Sequence, residues 1–354
     1  MERFERRVAD YVGARHGVAV SSATAALHLA YRALGLGPGD LLWTSPNTFV
    51  ATANAALLCG ASVDFIDIDP RTKNLSPDAL RDRLVAAKKD GRLPKAVVPV
   101  HFAGQPCDME AIGALAREFG FRVVEDASHA IGARYRGAPV GAGTQSDLTV
   151  FSFHPVKIIT TGEGGMVVTN RDDLAAAVRL LRSHGITRDP SRMEKADEGP
   201  WYYEQVDLGL NYRLTDIQSA LGASQMDRLE AFIERRHRVA DRYDRALAGL
   251  PLELPLRPAG DRSALHLYPV VVAREPRAQE RRRVFDALRA AGIAANVHYI
   301  PVPLQPHYRR LGFKPGHCPA AERYYDGAIS LPMFPGLTDA DQDRVVDALR
   351  RALA

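Results

Sequence analysis

Between Val18 and Thr169, short apolar runs alternate with stretches in which apolar residues recur at the helical period. The strand-like runs are VAVSS, LLWTS, VDFIDI, AVVPV, RVVED, LTVFSF and GGMVVT, and they are separated by helical stretches such as ATAALHLAYRAL and DMEAIGALAREFG. This alternation predicts an α/β fold with a parallel or mostly parallel sheet covered by helices on both faces. Such sheets bind ligands beyond the carboxyl ends of their strands, where we expect Ser22, Asp126 and Ser152.

A second pattern follows. A long helical region, about 213–250 and rich in Arg and Glu, leads into the proline-rich PLELPLRPAG. We therefore predict a large domain with its linking helix at 1–248 and a smaller C-terminal α/β domain at 249–354. In the smaller domain we expect two strands, HLYPVVV and AANVHYI, and helices near 276–291, 319–328 and 338–353.

Composition excludes several classes of protein. The 354 residues are 46% hydrophobic and 25% charged, which suits a globular protein with a large core. The net charge of +4 is spread over mixed Arg/Asp/Glu helices and does not indicate nucleic-acid binding. The three cysteines, Cys59, Cys107 and Cys318, show neither disulfide nor metal spacing and suit a reducing cytoplasm. No apolar run approaches the ~18 residues of a membrane span, so we expect a soluble, cytoplasmic protein.

One lysine and one aspartate carry the candidate chemistry. Lys157 lies between the strand-like DLTVFSF and a glycine-rich loop, where its amine can enter a cleft and form a Schiff base. Asp126 ends the apolar run of VVEDASHA, where a buried carboxylate needs a cationic partner. Pyridoxal phosphate (PLP) needs this pair, a lysine for its aldehyde and a carboxylate for its ring nitrogen. The alternative for Asp126 is a helix cap.

A phosphate site is indicated by SSATAALHLA, where a strand breaks into a helix. The free N–H groups of a helix start suit a phosphate, and Ser22 or Thr24 can add hydroxyl donors. The same pattern also describes an ordinary N-cap. Ser152 is a second candidate donor, and its alternative is a buried strand serine.

Two rings complete the candidate cofactor site. Phe49, in SPNTFVATANA, would stack on the cofactor ring, although a phenylalanine in such a run is also typical of the core. His129, one turn after Asp126, would bond the cofactor or the aspartate, and the alternative is a histidine that supports the site from behind.

The chain resembles the DegT-type sugar aminotransferases from about Phe4 to its C-terminus. The resemblance rests on SATAALHLA, NTFVATANA, EDASHAIGA, FSFHPVK, GEGGMVVTN, LNYRLTDIQSALG, ANVHYIPV and AERYYDGAISLPMFPGLTD. It implies the aspartate-aminotransferase fold (PLP fold type I). It also implies that Lys157 holds PLP, Asp126 pairs with its ring nitrogen, Phe49 stacks on its ring, and Thr24 and Ser152 bind its phosphate.

The resemblance also implies a shared site and marks two departures. Asn211, in the NYR motif, would reach the phosphate of the neighbouring subunit, which implies a homodimer; the alternative is a turn asparagine. Ala23 stands where many relatives have glycine, and its backbone N–H stays available. The chain begins inside the first helix of the family, which a truncated or misassigned start would explain.

Within the family, PVHFAGQPCDM, FSFHPVK, WYYEQ and VHYIPVPLQPHY most resemble the transaminases of pseudaminic acid synthesis, which form UDP-4-amino-4,6-dideoxy-N-acetyl-β-L-altrosamine. This implies amino transfer from L-glutamate to C4 of a UDP-linked 2-acetamido-2,6-dideoxy-4-ketohexose. Candidate substrate contacts are Arg213, His298, Tyr299 and His307, which suit a large anionic sugar nucleotide.

Three alternatives remain. An aminotransferase acting on a dTDP-linked sugar, at C3, or on a cyclitol ketone would keep every cofactor residue named above. A PLP-dependent sugar dehydratase of this fold would carry histidine in place of Lys157. A non-catalytic regulator or scaffold could lose the lysine, the acid or the stacking ring, and this chain has all three.

Overall fold

The computed structural model describes residues 1–195 and 198–354. Its strands, in chain order, are β1 His16–Val20, β2 Leu41–Thr44, β3 Ser62–Phe65, β4 Ala96–Val98, β5 Arg122–Asp126, β6 Arg134–Tyr135, β7 Ala138–Pro139, β8 Leu148–Ser152, β9 Gly165–Thr169, β10 Ile186–Thr187, β11 Glu204–Gln205, β12 Leu252–Glu253, β13 Tyr268–Val272 and β14 Ala328–Leu331. The helices are α1 Glu2–Val12, α2 Ala23–Ala33, α3 Ala51–Leu58, α4 Pro77–Lys89, α5 Met109–Phe119, α6 Asp172–Arg182, α7 Asp216–Met226, α8 Leu229–Leu247, α9 Arg277–Ala290, α10 Pro306–Arg310, α11 Pro319–Gly327 and α12 Asp339–Leu353. Within the described part of the chain, no helix combines the length and apolarity needed to cross a bilayer.

The large sheet confirms the predicted α/β fold. Its seven strands lie in the order β1-β9-β8-β5-β4-β2-β3. The pairs among β2, β3, β4, β5 and β8 are parallel, and β9 runs antiparallel to both β8 and β1. β8 and β9 are buried at every position, as expected for strands covered on both faces. Each of the seven predicted apolar runs overlaps one of these strands.

The smaller sheet corrects one prediction. Its order is β12-β13-β14, and HLYPVVV forms β13 as predicted. AANVHYI is not a strand: Asn296 makes a single bridge to Ser330, and the third strand is instead β14. After Asn296 the chain leaves the sheet, Tyr299 packs against Phe102 of the large domain, and a proline at 301 could not continue a ladder.

The region 213–250 is two helices rather than one. α7 begins at a capping box formed by Thr215 and Gln218 and packs on α1, where Gly222 meets the ring of Phe4. A turn at 227–228 separates it from α8. The break lets α7 cover the N-terminal helix while α8 runs toward the smaller sheet.

Apolar side chains pack across the domain boundary that we propose at 248/249. Residues of α8 share a buried apolar cluster with β13, β14, α9 and α12. Conversely, Val302, Tyr308 and Tyr324 belong to the cluster that contains the large sheet and α2. Side chains from before the boundary therefore pack on the smaller sheet, and side chains from after it pack on the large sheet.

Candidate active site

The carboxyl end of β5 presents a buried carboxylate without a cation. Asp126 is 4% exposed; its Oδ2 accepts a hydrogen bond from Thr52 Oγ1 at 2.7 Å, and its Oδ1 accepts one from the Ser128 N–H at 3.1 Å. Among the described residues, no basic group forms an ion pair with it. A buried carboxylate held by neutral donors is suited to receive a cationic ligand atom.

The carboxyl end of β8 presents the lysine. Ser152 ends this strand and is 6% exposed, and Lys157 follows in a turn closed by its own N–H to the His154 carbonyl at 2.9 Å. Burial lowers the pKa of Lys157 to about 8, while the nearby Asp126 charge acts in the opposite direction. An amine with this pKa is far more often unprotonated at neutral pH than an exposed lysine, as a nucleophile requires.

The start of α2 lies beside these strand ends. Ser22 is the N-cap, and its Oγ accepts a hydrogen bond from the Ala25 N–H at 3.1 Å, so the N-cap alternative holds for this residue. Thr24 is exposed in the first turn, where backbone N–H groups have no partner within the helix. Gly165 lets β9 approach this turn, because a Cβ there would stand 2.5 Å from the Ser22 carbonyl and 2.6 Å from the Ala23 nitrogen.

The aromatic candidates face the same region. Phe49 is 60% exposed, which excludes the core alternative within this chain, and its ring centroid is 6.5 Å from that of Tyr299. His129 is 6% exposed, and its Nε2 lies 3.2 Å from the Tyr299 hydroxyl. Burial raises the pKa of Tyr299, so this hydroxyl stays protonated.

The candidate substrate residues are divided between the site and the surface. His298 Nδ1 lies 2.8 Å from Ser330 Oγ, and burial, with the Lys157 charge, lowers the pKa of His298 to about 4. Arg213 is exposed, and its backbone bridges Val20 at the end of β1. His307 is exposed on α10 and contacts the Tyr308 ring; no contact of the described residues joins it to the group around Lys157.

Asn211 lies at the surface of the chain. It is exposed, and its backbone bridges Ser183. The next residue, Tyr212, accepts a hydrogen bond from the Ser21 N–H at 2.8 Å. The NYR segment is therefore fastened beside the start of α2.

Two side chains in the site were not found from the sequence. Thr52 holds Asp126, and its position one turn after Phe49 in NTFVAT was the available signal. His266 lies just before β13, and its ring centroid is 4.4 Å from that of His129. Nothing in the local sequence of His266 distinguishes it from a histidine at the start of a strand.

These groups fit PLP. Asp126 lacks a cation, Lys157 has a nucleophilic amine, the start of α2 offers free N–H donors, and Phe49 presents a ring face. The buried His129 Nδ1 has no hydrogen-bond partner within the part of the chain that is described, so it too can meet a polar atom of a ligand.

Comparison with known proteins agrees with this chemistry. The model of the DegT/DnrJ/EryC1/StrS aminotransferase family matches residues 1–350. The chain belongs to this family. Aminotransferases of the DegT family use PLP, and the chain is a PLP-dependent sugar aminotransferase. The predicted fold, activity and cofactor are thus confirmed.

Three relatives illustrate the range of DegT-family proteins that are similar to this chain. The spore coat polysaccharide biosynthesis protein SpsC of Bacillus subtilis is 40% identical over 99% of this chain and 88% of its own length. GDP-perosamine synthase of Caulobacter vibrioides is 39% identical over 99% of this chain and 89% of its own. The solved structure of Helicobacter pylori PseC, an aminotransferase involved in the biosynthesis of pseudoaminic acid, superposes with a TM-score of 0.89 at 32% identity, covering 99% of this chain and 90% of PseC.

Proposed function

We propose that the enzyme transfers an amino group from L-glutamate to C4 of a UDP-linked 2-acetamido-2,6-dideoxy-4-ketohexose. The similarity to PseC over nearly the whole of both chains carries this proposal. The half-buried His298 and Tyr299 support it, because they offer neutral hydrogen-bonding groups to a sugar ring near Lys157. Arg213 supports it as an exposed guanidinium suited to a diphosphate.

In this proposal each side chain has a defined task. When bound, PLP supplies an electron sink and carries the amino group from donor to acceptor. Asp126, fixed by Thr52 and Ser128, would pair with the ring nitrogen of bound PLP and favour its protonated form. Lys157 Nζ takes the proton from the donor Cα in the first half-reaction and delivers one to the sugar C4 in the second. Backbone N–H groups of Ala23 and Thr24, with the Ser152 hydroxyl, hold the phosphate.

We further propose a homodimer with shared sites. Exposed apolar side chains lie on α7 and on the segments that flank the site: Ile217 at 85%, Leu208 at 70%, Val156 at 64% and Leu221 at 42%. Asn211 is exposed in the same region and has no side-chain partner among the described residues. A second copy covering these side chains would bury them. It would also bring Asn211 of one subunit to the cofactor phosphate of the other.

A second candidate substrate is a GDP-linked 4-keto-6-deoxyhexose. The 39% identity to GDP-perosamine synthase favours it, and it requires the same cofactor residues. The sugar nucleotide contacts, rather than the chemistry at Lys157, distinguish the two candidates.

The test is a substrate panel. Purified enzyme with L-glutamate is assayed for kcat/KM on UDP-linked L-arabino and D-xylo 4-keto-N-acetyl sugars, on GDP- and dTDP-linked 4-keto sugars and on a cyclitol ketone, with Lys157→Ala as the blank. We expect the UDP-linked L-arabino isomer to be preferred by roughly 5- to 150-fold, since an unpaired buried polar group costs about 1–3 kcal/mol. Preference for any other ketone refutes the proposed substrate.

A further inference from the structure

A pair of buried imidazoles lies behind the candidate cofactor site. His129 and His266 are each 6% exposed, and their ring centroids are 4.4 Å apart with 43° between the ring planes. The Tyr299 ring lies 6.2 Å from the His129 ring, nearly parallel at 19°, with its hydroxyl 3.2 Å from His129 Nε2. The His129 imidazole therefore contacts two rings from the C-terminal part of the chain.

The segment that carries His266 is held firmly. Arg236 of α8 is 3% exposed, and one nitrogen of its guanidinium donates to the carbonyls of Leu265, His266 and Met333 at 3.0, 3.2 and 3.0 Å. A buried guanidinium bound to carbonyls alone costs desolvation, and burial lowers its pKa to about 10. We infer that this contact, despite its desolvation cost, holds the backbone of Leu265 and His266 in one position.

A close backbone approach also fixes this segment. A Cβ on Gly104 would stand 2.8 Å from the Leu265 nitrogen, 2.9 Å from the His129 carbonyl and 3.1 Å from the His266 nitrogen. The Ala264 N–H donates to the Gly104 carbonyl at 2.9 Å. The loop after β5 is thus held against residues 264–266, which we call the interdomain segment, through Gly104.

We propose that His266 is a positioning residue for the cofactor site: from the interdomain segment it closes off the His129 imidazole from water and holds it as a neutral ring whose Nε2 meets the Tyr299 hydroxyl. This proposal rests on the proposed role of His129 as a neighbour of the cofactor. It assigns no contact between His266 and the substrate.

The charged groups around the two imidazoles determine what protonation of either ring would do. Lys157 follows β8, Asp126 ends β5, and His298 and Tyr299 come from the segment after Asn296. Arg236 of α8 is the other charged group that faces the pair, because it donates to the His266 carbonyl. Burial lowers the pKa of both His129 and His266, and the charges of Lys157 and His298 add to this effect in both rings. The His266 charge adds to it at His129, and the Arg236 charge adds to it at His266. A proton on either ring would put a second cation beside Lys157 and weaken the hold of Asp126 on the pyridine nitrogen.

The test follows His129 directly. Full-length protein labelled with ¹⁵N-histidine is titrated by NMR, cofactor-free and PLP-loaded, as wild type, His266→Ala and His266→Phe. In wild type the His129 ring should stay neutral well below the usual pKa of a histidine, because burial opposes its charge. In His266→Ala we expect water to reach His129 and its titration to move up by about one pH unit or more. In His266→Phe the ring is kept and the wild-type titration should return.

Matched variants of α8 separate positioning from stability. Arg236→Lys loses the contact to three carbonyls and should shift His129 in the same direction as His266→Ala. Arg235→Gln is the control, because Arg235 contacts Asp339 and lies next to Arg236 but does not touch the interdomain segment. We expect Arg235→Gln to leave the His129 titration unchanged.

Two outcomes overturn the proposal. One is a His129 titration in folded His266→Ala identical to wild type. The other is an equal loss in His266→Ala and His266→Phe, which would mean that the imidazole nitrogens of His266 matter and the ring does not. Because the readout is the protonation of His129 in the cofactor-free protein, failure of the proposed substrate leaves the test valid.

Discussion

Thr52 donates a hydrogen bond of 2.7 Å to the Asp126 carboxylate, joining α3 to the carboxyl end of β5. The Thr52 hydroxyl also lies 2.8 Å from the Thr48 hydroxyl. The backbone carbonyl of Thr52 accepts a hydrogen bond from the Tyr31 hydroxyl at 3.0 Å. Thr52 is therefore fixed from two sides before it meets Asp126. The carboxylate has its orientation set before any ligand arrives.

Thr52→Val removes this bond while conserving shape. A hydrogen bond to a charged group contributes about 1.5–3 kcal/mol, so we expect kcat to fall roughly 10- to 150-fold with PLP still bound. Thr44→Val is the control, because Thr44 is equally buried but its hydroxyl donates to the Val98 carbonyl instead. Equal losses in both variants would show that the effect is general destabilisation.

Asp126→Asn tests the carboxylate itself. The amide can keep the bond to the Ser128 N–H but no longer favours a protonated pyridine. We expect the variant to hold PLP covalently at Lys157, as shown by borohydride reduction and peptide mass analysis, and to lose most activity. Wild-type turnover would mean that Asp126 serves only as a cap for the segment after β5.

The seven strands of the large sheet, and the places of Asp126 and Lys157 at or just after strand ends, could be predicted because each is marked by a local pattern. An apolar run fixes the strand, and the polar residue at its end follows from the topology. The ring of Phe49 is exposed, and its stacking on the cofactor stays a prediction.

Thr52 and His266 could not be predicted with equal ease, because their roles arise from contacts between segments distant in the chain. The wrong strand at AANVHYI has the same origin. Its apolar pattern is typical of a strand, but packing of Tyr299 on Phe102 draws the chain out of the sheet. The break between α7 and α8 likewise depends on what each helix covers.

Gly165→Ala tests the start of α2 as the phosphate site. Its Cβ would stand 2.5 to 2.6 Å from backbone atoms of Ser22 and Ala23, so the turn must move. We expect the PLP dissociation constant, measured by fluorescence quenching, to rise by roughly 5- to 150-fold, since overpacking costs roughly 1–3 kcal/mol. Gly37→Ala is the control, because its nearest neighbour would be 4.0 Å away. Unchanged PLP affinity in folded Gly165→Ala would place the phosphate elsewhere.

Subunit mixing tests Asn211. Lys157→Ala and Asn211→Asp are each expected to be nearly inactive alone. If Asn211 serves the neighbouring subunit, a hybrid dimer carries one site with both lesions and one intact site, and up to about half of wild-type activity per hybrid should return. Recovery is measured after re-equilibration, with hybrids counted by native mass spectrometry. Hybrids without recovery would place the Asn211 contact within its own chain or make it dispensable.

The last prediction concerns pH. Lys157 has a pKa of about 8 in the folded chain, below the value of about 10.4 for a free lysine. Only the unprotonated amine attacks PLP, so covalent loading of the cofactor-free protein should accelerate about tenfold per pH unit below this midpoint and level off above it. The sign for stability follows from linkage. Between about pH 8 and 10.4 the unfolded chain binds more protons than the folded one, so this lysine makes unfolding less favourable as pH rises through that window.

Stopped-flow absorbance after mixing with PLP measures the loading rate, and Nα-acetyl-lysine under the same conditions corrects for ionisation of PLP itself. Asp126→Asn should move the midpoint to lower pH, because the Asp126 charge is what opposes the effect of burial on Lys157. His16→Gln is a matched control, since His16 pairs with Asp172 away from the site and its loss should leave the midpoint unchanged. A loading rate that keeps rising through pH 10 would mean that Lys157 behaves as an exposed lysine and that its burial does not activate it.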